Sequence, residues 1–124
     1  MSESNAAGHD TGGLFAVIDA NDAAAFVGFL TDDAVFRFGS APPVRGRSAI
    51  QAAVDGFFGT IAGCSHNVRK VVESGSTLVC EGEVTYRRHN GTEITLPFAD
   101  VFEYAGDLIG QYKIYMDVSP LYAE

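Results

Sequence analysis

Residues 90–118 read NGTEITLPFADVFEYAGDLIGQYKIYMDV, and the alternation within this stretch decides the architecture. Asn90-Gly91 is a hairpin signal, because both residues tolerate positive φ, and it predicts a type I′ turn. Alternate residues of a strand share a face. From Glu93 to Tyr104 one face carries Ile94, Leu96, Phe98, Asp100, Phe102 and Tyr104. The other carries Glu93, Thr95, Pro97, Ala99, Val101 and Glu103. Ala105-Gly106-Asp107 is the next turn. The closing strand, Leu108 to Val118, sets Tyr112, Ile114 and Met116 against Lys113, Tyr115 and Asp117. By composition the first set on each strand is the buried face.

Working towards the N-terminus, Thr77 to Arg88 is a long strand with Leu78, Cys80, Gly82, Val84 and Tyr86 on one side. Gly75 is a turn, and Val68 to Glu73 is a further strand. His66 shares the parity of Val68 and Val72, which puts it on the inner side if the strand starts that early. A strand-edge histidine at the surface is the other reading.

The first half has helical spacing instead. Leu14 to Ala20 is a short apolar stretch. Asn21 or Asp22 can cap a helix in which Phe26, Phe29 and Leu30 share a face. Asp32-Asp33 ends it, and Ala34, Phe36 and Phe38 alternate in a short strand. Pro42-Pro43 marks a turn. Ser48 and Gln51 form a capping box for a helix through Ile50, Val54, Phe57, Phe58 and Ile61, with Gly63 as its stop. Helices followed by a meander of strands predict an α+β fold, with helices packed on one face of an antiparallel sheet.

The chain has 124 residues, 47% of them apolar, with nine Phe and five Tyr. That is enough for one core without metal or disulfide. No apolar run reaches the roughly 18–20 residues that span a bilayer. Met1 to Gly13 is polar and Gly-rich and reads as a flexible tail preceding a domain over residues 14–124. It has no signal-peptide pattern, and a cytoplasmic location is expected. A formal net charge of −8 argues against nucleic acid and anionic membranes. Cys64 and Cys80 lack metal-type spacing and read as buried thiols. His9, His66 and His89 are scattered, with His9 in the tail, so no metal is implied.

Asp100 is the residue that the pattern does not explain. A carboxylate among Leu96, Phe98 and Phe102 is costly unless it is bonded, paired or protonated. Desolvation raises its pKa and suits it to proton transfer near neutrality. A purely structural bond to a buried donor is the alternative. Tyr86 and Tyr112 supply the main hydroxyl groups of the same face. Arg45 and Arg47 read as turn-holding residues that pair with Asp32 or Asp33. Arg87, Arg88 and His89 flank a hairpin tip and read as solvated.

Several runs resemble the SnoaL-like, nuclear-transport-factor-2-like superfamily. They are Leu30-Thr31-Asp32-Asp33-Ala34-Val35-Phe36, Pro43 to Ile50, Leu96 to Phe102 and Tyr112 to Asp117. The resemblance implies a conical α+β fold, with N-terminal helices on a strongly curved sheet that encloses an apolar pocket. It implies pocket-lining roles for Leu14, Ile18, Phe36, Phe38, Phe57, Val84, Phe98, Phe102, Ile114 and Met116. The ketosteroid isomerase pattern sets a protonated Asp beside an Asp base and a Tyr, and by resemblance the protonated Asp falls on Asp100. The base falls on Phe38 and the tyrosine on Leu14, so two of three elements are missing. The epoxide-hydrolase constellation falls on Val84, Gly82 and Ile114 and is absent. A polyketide-cyclase-like site needs little more than one carboxylate acid–base.

Two functions follow. One is a cofactor-independent acid–base enzyme, isomerase- or cyclase-like, with Asp100 helped by His66, Tyr86 or Tyr112 on a mostly apolar cyclic or polyketide-like substrate. The other is a non-catalytic small-ligand-binding or dimerisation domain. A homodimer is expected through the outer sheet face, where Thr95, Ala99 and Val101 lie with Tyr115.

Overall fold

The computed structural model describes residues 9–123; the tail reading for residues 1–8 lies outside them. The elements run α1 (Thr11–Asp19), α2 (Ala23–Val27), β1 (Leu30–Phe38), β2 (Val44–Arg45), α3 (Arg47–Gly59), β3 (Gly63–Ser74), β4 (Thr77–Arg87), β5 (Glu93–Ala105), β6 (Leu108–Tyr115) and α4 (Ser119–Tyr122). This is an α+β fold with an open, curved, six-stranded sheet in the order β2-β1-β6-β5-β4-β3. The meander from β3 to β6 is antiparallel, but β1 runs parallel to β6, with Phe36 opposite Tyr112 and Phe38 opposite Ile114. The expectation of a wholly antiparallel sheet is corrected at that pair. The chain leaves β1 through α3, so the meander returns its last strand beside the first.

Helix starts follow side-chain chemistry. Asp10 accepts from the Gly13 N–H at 2.8 Å and Asp22 from the Ala25 N–H at 3.0 Å, each satisfying a donor that lacks a helical partner. So α1 begins within the segment read as tail. His9 is also tied down: it is buried, its Nδ1 lies 2.7 Å from Glu73, and its ring stacks on Tyr104 at 3.5 Å. The Ser48–Gln51 box does not form. Gly46 (φ 91°) is the N-cap, with no side-chain bond, because its positive φ turns the chain from β2 straight into α3. Helix α3 stops at Gly59, where the Thr60 hydroxyl donates to the Phe57 carbonyl at 2.7 Å; Gly63 opens β3 instead. Leu30 belongs to β1 and not to the preceding helix, and Asp32 and Asp33 lie inside that strand. Arg47 pairs with Asp32 at 3.3 Å and donates to the Leu30 carbonyl at 2.9 Å, holding the turn as expected.

The hairpin at Asn90 differs in type. Gly91 (φ 90°) alone has positive φ, and its N–H donates to the Arg88 carbonyl at 2.9 Å. The Asn90 side chain accepts from the Thr92 N–H, so a three-residue loop replaces the type I′ turn. Arg88 is not solvated. It donates to the Leu121 and Pro120 carbonyls at 3.0 Å and ties α4 to the hairpin.

Strand β3 carries a bulge between Val68 and Lys70. A bulge adds one residue to a strand, bends it and reverses the parity beyond it. Cys64, His66 and Val68 therefore face inward, but Val72 does not; it is exposed, and Val71 packs on the core. The core itself joins α1–α3 to the inner sheet face. Leu14, Leu30, Ile50, Leu78 and Phe102 are wholly buried, each such side chain contributing about 1.5–3 kcal/mol.

Candidate active site

Inner-face residues of β1, β4, β5 and β6, roofed by α3, enclose a cavity of about 270 Å³. Ring contacts build its walls. Phe38 meets Phe57 at 5.1 Å, Phe57 meets Tyr86 at 5.7 Å, and Phe36 meets Tyr112 at 5.3 Å. Of the residues read from the sequence as lining or acting in a pocket, Ile18, Phe36, Phe38, Phe57, His66, Tyr86, Phe98, Asp100, Tyr112, Ile114 and Met116 border this space. Leu14, Val84 and Phe102 do not. They are wholly buried core residues. Phe102 packs at 4.5 Å against the Tyr112 ring, which takes the cavity side. Val84 sits mid-sheet between His66 and Leu96, and Leu14 is pressed inward on α1.

Asp100 lies on β5 with Cys80 and Ile114 as its cross-strand neighbours. It is 2% exposed, and its Oδ1 has no hydrogen-bond partner among the described residues. Burial pushes its carboxyl well above the ordinary carboxylate range. The uncharged acid is thus the favoured form, and it offers a proton as well as an acceptor oxygen. Burial, and secondarily Asp100, also hold the Tyr112 hydroxyl well above its usual value. Tyr86 is raised for the same leading reason, and its hydroxyl donates to Met116 Sδ at 3.8 Å.

Strand β3 brings a second polar group to the cavity. His66 Nδ1 lies 2.6 Å from Asp19 Oδ1, and the His66 backbone N–H donates to Asp19 Oδ2 at 3.0 Å. The ring is wedged between Phe15 at 4.9 Å and Phe98 at 5.3 Å. Burial lowers the His66 pKa, and the hydrogen bond and charge of Asp19 oppose that shift. Cys64 Sγ lies 3.8 Å from Asp19 Oδ1, and burial pushes the thiol up to about 12, so it remains protonated. Asp19, Cys64 and His66 bring potential ligand atoms within 4.8 Å of one another. His66 and Asp19 satisfy each other there by hydrogen bonding, as an acid–base pair does. Sequence reading missed Asp19 and Cys64. The available signal was a carboxylate closing the apolar run Leu14–Ala20, where a helix end can aim it at the next layer. No Lys or Arg borders the cavity among the described residues.

The model of the SnoaL-like domain family matches residues 12–112. The chain belongs to the SnoaL-like domain family. A search of the curated proteins finds no match. Among solved structures, this SnoaL-like chain is similar to an NTF2-like protein of unknown function from Burkholderia pseudomallei, at TM-score 0.83 and 16% identity, over 98% of this chain and 95% of that one. It is similar to a protein with a ketosteroid isomerase-like fold from Catenulispora acidiphila in complex with trimethylamine, at TM-score 0.78 and 16% identity, over 85% and 82% of the chains. It is also similar to TerC co-crystallised with polyporic acid, at TM-score 0.77 and 16% identity, over 88% and 89%. At such identities the likeness is one of fold. Of the positions onto which the resemblance carried the isomerase elements, Asp100 and Phe38 border the cavity and Leu14 is in the core.

Proposed function

We propose that this SnoaL-like domain is a cofactor-independent acid–base enzyme of the isomerase or cyclase type, acting on a mostly apolar cyclic or polyketide-like molecule. One observation carries the reading: a buried carboxyl with an unpartnered oxygen at the wall of an aromatic cavity. A purely structural network has no reason to keep such a group, since an unsatisfied buried polar atom costs about 1–3 kcal/mol. A ligand oxygen that accepts the Asp100 proton would relieve it. The absence of Lys and Arg from the walls favours uncharged ligands over carboxylates and phosphates. Small molecules bound to related folds, trimethylamine and polyporic acid, support a ligand-holding role for the cavity.

The test is Asp100→Asn, which keeps shape and removes proton chemistry. Compounds that shift the melting temperature are first selected from a panel of cyclic and polyketide-like carbonyl compounds. They are then followed in D₂O for protein-dependent exchange of carbon-bound hydrogen. Exchange by the wild type that drops about 10²–10⁴-fold in the variant, with affinity kept, supports the enzyme. A second reading is a non-catalytic ligand-binding domain. It is favoured by the lack of a titratable side chain in hydrogen-bond contact with Asp100 Oδ1 among the described residues, and it predicts altered affinity and no exchange in either protein.

Self-association through the outer sheet face belongs to the same proposal, supported by exposed Tyr115 beside Ala99 and Val101. So does a cytoplasmic setting, for which two free cysteines speak. No helix among the described residues is long and apolar enough to cross a membrane.

A further inference from the structure

We infer that Asp19 is a positioning residue that presents His66 Nε2 to the cavity as the proton acceptor, in the same cavity that the proton-donating Asp100 borders; this rests on the acid–base reading above. Asp19 is the last residue of α1. The helix ends there because Asn21 takes a left-handed φ of 58° while its N–H returns to the Ile18 carbonyl at 2.9 Å. That ending turns the Asp19 carboxylate towards β3. One oxygen takes the His66 backbone N–H at 3.0 Å, which fixes the carboxylate to the strand, and the other meets the ring at 2.6 Å. An ionised carboxylate can only accept, so Nδ1 must carry the proton. The lone pair is then on Nε2, which has no hydrogen-bond partner among the described residues, and His66 borders the cavity.

A structural aspartate needed only to hold β3 would be satisfied by the backbone bond. The ring bond sets a tautomer, which matters only if the far nitrogen is used. The groups around His66 agree with this assignment. Asp19 approaches from α1 and the protonated Cys64 from its own strand, Tyr86 of β4 and Asp100 of β5 border the same cavity, and none of them is a cation. Burial favours the neutral ring. Phe98, in edge contact with His66, lies two residues from Asp100 on the same face of β5.

The step this permits balances without any further reactant. His66 Nε2 takes a proton from a carbon beside a carbonyl. The C–H bonding pair becomes a C=C bond, and the carbonyl π pair moves to the oxygen, which takes the Asp100 proton, giving an enol, imidazolium and carboxylate. Where a C=C bond lies next to the carbon that lost its proton, the enol is a dienol; addition of the imidazolium proton at its far end, with return of the oxygen's proton to Asp100, gives the conjugated isomer and restores both groups.

The experiment reads the tautomer directly, by ¹⁵N NMR of the His66 ring, and needs no substrate. The expected wild-type spectrum is Nδ1-protonated. Asp19→Asn keeps an acceptor oxygen for the backbone N–H but offers the ring an amide donor, so the ring should switch to the Nε2-protonated form. Its titration midpoint should also fall, because the charge that favoured protonation is gone. Asp19→Glu should recover the wild-type tautomer at least in part. With an exchanging compound in hand, Asp19→Asn should lower kcat about 10²–10⁴-fold with KM little changed. A wild-type ring protonated on Nε2 overturns the inference, even if the variant fails to fold. So does a folded Asp19→Asn protein whose tautomer, titration and exchange rate match the wild type. An Nδ1-protonated ring in a protein that exchanges no compound supports the pairing and sinks the enzyme reading instead.

Discussion

Under the proposed function, Asp100 sets proton transfer against stability within one side chain. Its folded pKa is raised, so the stability it allows is fully present below the ordinary value of 3.8 and is lost as pH rises through the folded value. Asp100→Leu, close in shape and apolar, should therefore raise stability by about 1–3 kcal/mol, because it removes an unsatisfied buried polar group. The gain should widen as pH increases above about 4, since the variant has no carboxyl to desolvate. Urea unfolding at pH 5 and pH 8 checks this, and a variant less stable than wild type at both would show that Asp100 is held by partners. His66 works on the acid side. Its pKa is lowered from 6.5, so stability is present above that value and declines as pH falls through it towards the folded one, as the unfolded chain takes a proton that the buried ring resists. His66→Asn should flatten that limb of the stability profile, as thermal unfolding between pH 7 and pH 5 would record. Asp100 was legible in the sequence because strand parity needs only local information. The Asp19–His66 pair was not, since that bond joins residues 47 positions apart and depends on how α1 meets β3.

At the scale of elements, the bulge in β3 and the glycine opposite it belong together. Gly82 pairs with Val68, and a Cβ at Gly82 would collide with the Asn67 carbonyl oxygen and stand 2.9 Å from the Val68 Cα. Both are backbone atoms, so a side chain cannot be accommodated by a rotamer change. Gly82→Ala should cost about 1–3 kcal/mol or more, read as a lower urea midpoint at unchanged slope. Gly56→Ala, with open space around the added carbon, is the control and should be neutral or slightly stabilising. The sequence showed Gly82 only as a gap in an apolar face. The bulge it accommodates arises from the backbone register of two strands, which no residue type in β3 announces. The same blindness explains the parity of Val72, read inward and found exposed. The meander itself was readable because turn glycines and alternation fix β4, β5 and β6 locally. Helix boundaries were less so: tertiary pairing with β6 drew Leu30 out of a helical pattern into β1, where it sits opposite Ile109.

For the whole molecule, the proposed self-association places its contact on the outer side of the sheet. Each chain carries a formal net charge of −8, so two copies repel at long range, and association must come from apolar contact. The outer face offers it: Tyr115 is 57% exposed, Ala99 lies opposite it, and Val101 lies between Val79 and Lys113 on neighbouring strands. A stable pair needs about 1,200–2,000 Å² of total buried surface, which a face of four long strands can supply. The expected state in light scattering at micromolar concentration is a dimer. Salt separates this mode from charge pairing. If apolar burial holds the dimer against like-charge repulsion, raising salt from about 0.05 to 0.5 M screens the repulsion and should tighten it. Tyr115→Asp adds a charge at the centre of the face and should give monomers that keep the wild-type fold and cavity. Because the cavity lies on the inner side of the sheet, ligand affinity should be retained in those monomers. A wild-type monomer at high micromolar concentration, or a dimer that salt dissociates, would remove the outer face from consideration as an apolar interface.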